Sequence, residues 1–100
     1  MRRLLAIFLV LLLPLPVAAQ GPDDGRPLAE RWCMACHVIE REPPTAVPDR
    51  GPSFPVIAAR PSTTPESLRR YLSTGHTRMP DFTLSRYESD ALIAYILSLR

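Results

Sequence analysis

Between Glu40 and Pro61 the chain carries six prolines, Pro43, Pro44, Pro48, Pro52, Pro55 and Pro61, and no other feature restricts its fold as much. Each proline fixes φ at about −65° and removes a backbone donor. A long helix and a central strand are therefore both excluded from this segment. It reads as ordered loop, with one or two helical turns around Pro55 to Ala59. The flanks must supply the regular structure, and they carry helix signals. Gly25 to Trp32 forms a short first helix, with Pro27 placed in its first turn, where a missing N–H does no harm. Thr64-Pro65-Glu66 supplies a cap, a first-turn proline and an acid for a second helix running to about Ser73, before Gly75. Its Leu68, Tyr71 and Leu72 stand at i, i+3 and i+4 and share one face. Ser85 and Glu88 make a capping-box pair ahead of the last helix, which extends to Leu99 with a stripe of Leu92, Tyr95, Ile96 and Leu99. No alternating run suggests a sheet, and no internal repeat is present. The fold class is all-α: three main helices with proline-rich loops.

The chain opens MRRLLAIFLVLLLPLPVAAQ. Two arginines, an apolar run and the small triplet Val17-Ala18-Ala19 have the layout of a secretory signal peptide. Pro14 and Pro16 break the run short of the roughly 20 apolar residues that a spanning helix needs. The expected organisation is a signal peptide over 1–19 and one domain over 20–100. A membrane association follows only if the leader is retained as an anchor. Cleavage after Ala19 leaves 100 − 19 = 81 residues in an exported, periplasmic and oxidising compartment. A domain that small buries too little apolar surface to be comfortably stable on its own, so it needs a staple, a metal or a cofactor.

Charge excludes one class of partner. Without Arg2 and Arg3 the chain holds ten arginines against ten Asp plus Glu, with no lysine, and shows no basic footprint for nucleic acid.

Both cysteines and one of the two histidines fall within Cys33-Met34-Ala35-Cys36-His37. Four chemistries compete for that cluster. A disulfide here would close a tiny loop and remove little chain entropy. A thiol redox motif expects a preceding strand in a βαβ setting, whereas a helix precedes Cys33. Zinc wants four ligands, and only Cys33, Cys36, His37 and His76 are available. Covalent haem attachment through C-x-x-C-H fits both the motif and the exported context. Two thioethers at Cys33 and Cys36 would tether one haem c, and His37 would reach its iron as an axial ligand. The cofactor then serves as the core that the short chain lacks.

The opposite axial position has two candidates, Met79 and His76. Met79 stands before Pro80, which holds it in extended backbone, and a Met/His pair is the common cytochrome c arrangement. Its alternative role is to fill a gap in the core. Phe54, Ile57, Leu68, Leu72 and Phe82 are expected to wall the haem. Tyr71 is a donor toward the Met79 sulfur or a propionate, and Arg60 and Arg78 are further partners for propionates.

The set of C-x-x-C-H, then Gly51-Pro52, then Met79-Pro80, then a terminal Leu92-Ile-Ala-Tyr-Ile96 helix resembles the class I c-type cytochromes, from Gly25 to Arg100. The resemblance implies the small class I cytochrome c fold. It implies that Gly25 and Ala29 let Leu92 and Tyr95 of the last helix cross closely, and that the Pro52 carbonyl holds the imidazole N–H of His37. The lysine ring of the mitochondrial members is absent. The expected function is a periplasmic one-electron carrier, a monomer serving donor and acceptor proteins, with no enzymatic activity of its own. The alternative is a haem-based binder or sensor of small gaseous ligands with a displaceable distal ligand. Occupancy of the second axial position separates the two.

Overall fold

The computed structural model describes residues 14, 21–43, 48, 50–75 and 78–100. The leader expected over 1–19, apart from Pro14, and the candidate ligand His76 lie outside the described residues. Among the described residues four helices form: α1 Pro22–Trp32, α2 Phe54–Ala59, α3 Pro65–Ser73 and α4 Arg86–Leu97. Among the described residues there is no strand, so the architecture is all-α. The short α2 accounts for the turns expected near Pro55.

α1 starts three residues earlier than the sequence suggests. Pro22 takes its first position, Asp23 and Asp24 fill its first turn, and Gly21 donates its N–H to Asp24 Oδ2 at 3.2 Å. Pro27 consequently lies inside the helix rather than in its first turn. Both Pro27 and Asp23, whose carbonyl loses its usual donor, are exposed, which is where a missing helical bond costs least. The other starts follow their caps. Ser53 Oγ accepts from Val56 N–H at 3.3 Å, and Thr64 Oγ1 accepts from Ser67 N–H at 3.0 Å. Ser85 and Glu88 exchange reciprocal bonds of 2.7 and 3.1 Å.

α4 is the central element, with α1, α2 and α3 all packed on it and α1 most extensively. Ala91, Leu92, Ile93, Tyr95 and Ile96 are buried, a wider band than the expected stripe, because three helices cover it. Leu99 is only half-buried. The crossing with α1 is made by glycine. A Cβ built on Gly25 would lie 2.6 Å from the Ala91 carbonyl carbon and 2.7 Å from the Tyr95 Cβ. At Gly25 the nearest atoms of α4 are thus those of Ala91 and of Tyr95, one of the two residues expected there. Two arginines tie the loops to the end of α4. Arg41 donates to the carbonyls of Leu99 at 3.2 Å, Ser98 at 3.3 Å and Arg100. Arg100 donates to Ala58 and Thr63 carbonyls at 3.2 and 2.7 Å.

Candidate haem-binding site

The C-x-x-C-H segment is built on the end of α1. Cys33 and Met34 N–H both bond to the Ala29 carbonyl, and Cys36 and His37 N–H both return to the Cys33 carbonyl, at 3.1 and 2.9 Å. The segment is thus a compact turn continuous with the last turn of α1. The loop after the prolines is stitched to it by Gly51 N–H to Cys36 O at 3.0 Å and Phe54 N–H to Val38 O at 2.8 Å. Between these two bonds lies Pro52, whose carbonyl is 2.6 Å from His37 Nδ1. A carbonyl oxygen only accepts, so Nδ1 carries the proton in the neutral ring and Nε2 keeps its lone pair for a metal. Gly51 walls the same ring: a Cβ there would be 2.6 Å from His37 Cε1. Phe54 also packs against this ring, centroids 5.6 Å apart, and itself meets Tyr95 edge-on at 6.4 Å.

Two cavities, of about 660 and 370 Å³, share walls formed by Cys33, His37, Pro52, Tyr71 and Met79, within the range of roughly 300–1,000 Å³ common for cofactor pockets. The expected wall residues divide between them. Phe54, Ile57, Leu68 and Leu72 line the smaller cavity, and Phe82 lines the larger. Arg60 borders the smaller and Arg78 the larger. Tyr71 is half exposed and sits on the wall common to both. Two residues at the larger cavity, Arg50 and Trp32, were not among the expected haem-wall residues. Arg50 is signalled only by its place before Gly51-Pro52. Trp32, the residue just before Cys33, meets Phe82 at 5.1 Å between ring centroids.

These residues fit a covalently tethered haem. Cys33 and Cys36 are unpaired thiols, one at each end of a turn beside the cavity, with an imidazole held at Nδ1 and a thioether on a shared wall. They do not fit thiol redox chemistry. Burial pushes the Cys33 thiol up to about 11, whereas a reactive redox cysteine needs a lowered value. Among the described residues, which leave out His76, no group of three or more His, Cys, Asp and Glu side chains could hold a metal ion by itself.

A helical domain with a C-x-x-C-H turn, an oriented histidine and a methionine facing a common cavity defines a c-type cytochrome. Residues 20–96 match the profile of the family described as "Cytochrome C oxidase, cbb3-type, subunit III", and the chain belongs to that family of c-type cytochrome domains. It is also 45% identical over 82 residues to cytochrome c-552 of Bradyrhizobium diazoefficiens, covering 82% of this chain and 78% of that protein. No solved structure matches it. The chain is accordingly a small cytochrome that carries covalently bound haem c with its iron, and its role is that of a haem-based electron carrier working with redox partner proteins.

Proposed function

We propose that the mature chain, residues 20–100, is an exported, periplasmic, monomeric shuttle for single electrons, with His37 and Met79 as the axial ligands and the leader 1–19 removed. The observation that carries this reading is the 2.6 Å contact of His37 Nδ1 with the Pro52 carbonyl. That contact fixes the tautomer and aims the remaining nitrogen, the usual way a metal-bound histidine is oriented. When bound, haem c supplies one iron that alternates between the ferric and ferrous states. The chain's part is to hold that centre still. Cys33 and Cys36 tether it, Gly51 and Phe54 fix the plane of the imidazole, and Leu68, Leu72 and Ile57 exclude water from the smaller cavity. Apolar burial together with a thioether ligand favours the reduced form and a high potential.

Among the described residues no helix is long and apolar enough to cross a membrane. Docking is expected at the exposed face beside the attachment turn, where Trp32 and Met34 are 41% and 51% exposed. Partners of known transient redox encounters use small interfaces, below about 1,200 Å².

The test has two parts. Protein matured in a host with haem-ligation machinery is expected to begin at Gln20 and to weigh the peptide plus one haem that acid-acetone does not extract. Met79→Ala is expected to lower the potential and abolish the weak far-red thioether band of the ferric protein, while His76→Ala leaves both nearly unchanged. A larger effect from the histidine variant reverses the ligand assignment.

A further inference from the structure

Trp32 and Phe82 come from opposite ends of the chain's chemistry, one next to the haem tethers and the other three residues beyond Met79. Their rings nonetheless meet, with centroids 5.1 Å apart and planes tilted by 42°. Both line the larger cavity together with Met79 and Pro80. The two sides of this contact differ in how firmly they are held. Trp32 ends α1, the helix locked against α4 through Gly25, and the Arg31 guanidinium lies 5.7 Å from its ring centroid. Phe82 belongs to a segment without regular secondary structure. Among the described residues, residues 78–84 make no backbone–backbone hydrogen bond to another described residue. Among the described residues its apolar anchors are side chains, Phe82 on Trp32 and Leu84 on the core. Segments with few backbone bonds open at low free-energy cost.

We infer that Trp32, acting through Phe82, is the positioning residue that holds the Met79 segment against the haem site. This rests on the reading of Met79 as an iron ligand. The consequence is specific. Removing either ring leaves every ligand atom in the chain but weights the equilibrium toward a state in which the segment stands away and the second axial position is open. The coupling of such a ring pair corresponds to a change of roughly three- to tenfold in that equilibrium.

The experiment uses haem-loaded protein with Trp32→Ala, Trp32→Phe, Phe82→Ala and the double alanine variant. Carbon monoxide uptake by the ferrous form and the far-red thioether band of the ferric form are read at room temperature, with the urea midpoint measured alongside. Each single alanine variant is expected to raise the carbon monoxide-accessible fraction by roughly three- to tenfold and to weaken the band. Trp32→Phe is expected to restore most of the wild-type behaviour, and the double variant to be no worse than the more affected single one. Should Trp32→Ala fail to mature because it borders Cys33, Phe82→Ala, which lies outside the attachment turn, decides the matter. A lower urea midpoint with wild-type band and wild-type resistance to carbon monoxide overturns the inference, because the pair is then mere packing. A different result marks failure of the ligand reading itself: a wild-type band that is absent, or that survives Met79→Ala, takes this inference down with it.

Discussion

The Gly51 Cα faces the His37 imidazole so closely that a methyl group on it would lie 2.6 Å from Cε1 and 2.9 Å from Nδ1. The neighbouring Pro52 carbonyl accepts from that same Nδ1, so one dipeptide both walls and tethers the ring. Gly51→Ala must push the imidazole or the loop aside. Overpacking of this kind costs about 1–3 kcal/mol, and here it is expected to shift the potential as well as the denaturation midpoint. Gly75→Ala, where nothing lies within 4 Å of a built Cβ, is the matched control and is expected to change stability by less than about 0.5 kcal/mol. Equal effects from the two substitutions would contradict the role given to Gly51.

Gly25→Ala tests the helix crossing. Its Cβ would enter the backbone of Ala91, which cannot swing away as a long side chain could. The expected cost is at least about 1–3 kcal/mol, with α1 losing its seat on α4. Guanidinium unfolding of the haem-loaded variant measures it. A wild-type midpoint would mean that the helices separate freely.

Tyr95 sets a limit at high pH. Its hydroxyl donates to the buried Ile39 carbonyl at 2.8 Å across 56 residues of chain, and burial, the largest cause, holds its pKa above the ordinary value of 10. A raised tyrosine means that the folded state keeps a proton that the unfolded chain releases. Its contribution to stability is complete below about pH 10 and is lost as pH rises through the folded value. Tyr95→Phe is expected to remove that alkaline component. At neutral pH it also leaves the Ile39 carbonyl without this donor, at a cost of about 1–3 kcal/mol. Denaturation midpoints of both proteins from pH 7 to 11 check the sign: the gap between them should narrow above pH 10.

Local chemistry made the helices of this chain readable, because Thr64, Ser85 and Glu88 act within three or four residues of themselves. The start of α1 was less so. Pro27 offers a first-turn signal that competes with Pro22 and the Asp23-Asp24 pair, and the structure uses the latter. The C-x-x-C-H turn announces its cofactor by spacing alone. What lies opposite it does not, since nothing local in Gly51-Pro52 says that it will face a histidine fifteen residues earlier; only likeness to a family suggested that. The Trp32–Phe82 contact and the arginine ties from Arg41 and Arg100 to distant carbonyls are long-range meetings of ordinary surface residue types. Such pairings leave no periodic trace in the sequence.

Charge shapes the encounter with partners. Residues 20–100 balance ten arginines with ten acids, among the described residues Arg26 and Arg69 pair with acids, and the propionates of bound haem add negative charge. Long-range steering is screened beyond a Debye length of about 8 Å at physiological ionic strength. Electron transfer to the native acceptor, followed by stopped flow from low to high salt, is expected to slow only modestly. A hundredfold drop would reveal a localised charged patch and rule out docking centred on Trp32 and Met34.

The most direct measurement is the optical spectrum of the matured wild-type protein, ferric and ferrous, with and without carbon monoxide. A shuttle held by His37 and Met79 shows the far-red thioether band when ferric, and its ferrous spectrum stays unchanged under carbon monoxide. A ferric spectrum without that band, together with ready carbon monoxide binding by the ferrous protein, means an open second position and a ligand-binding haem protein instead.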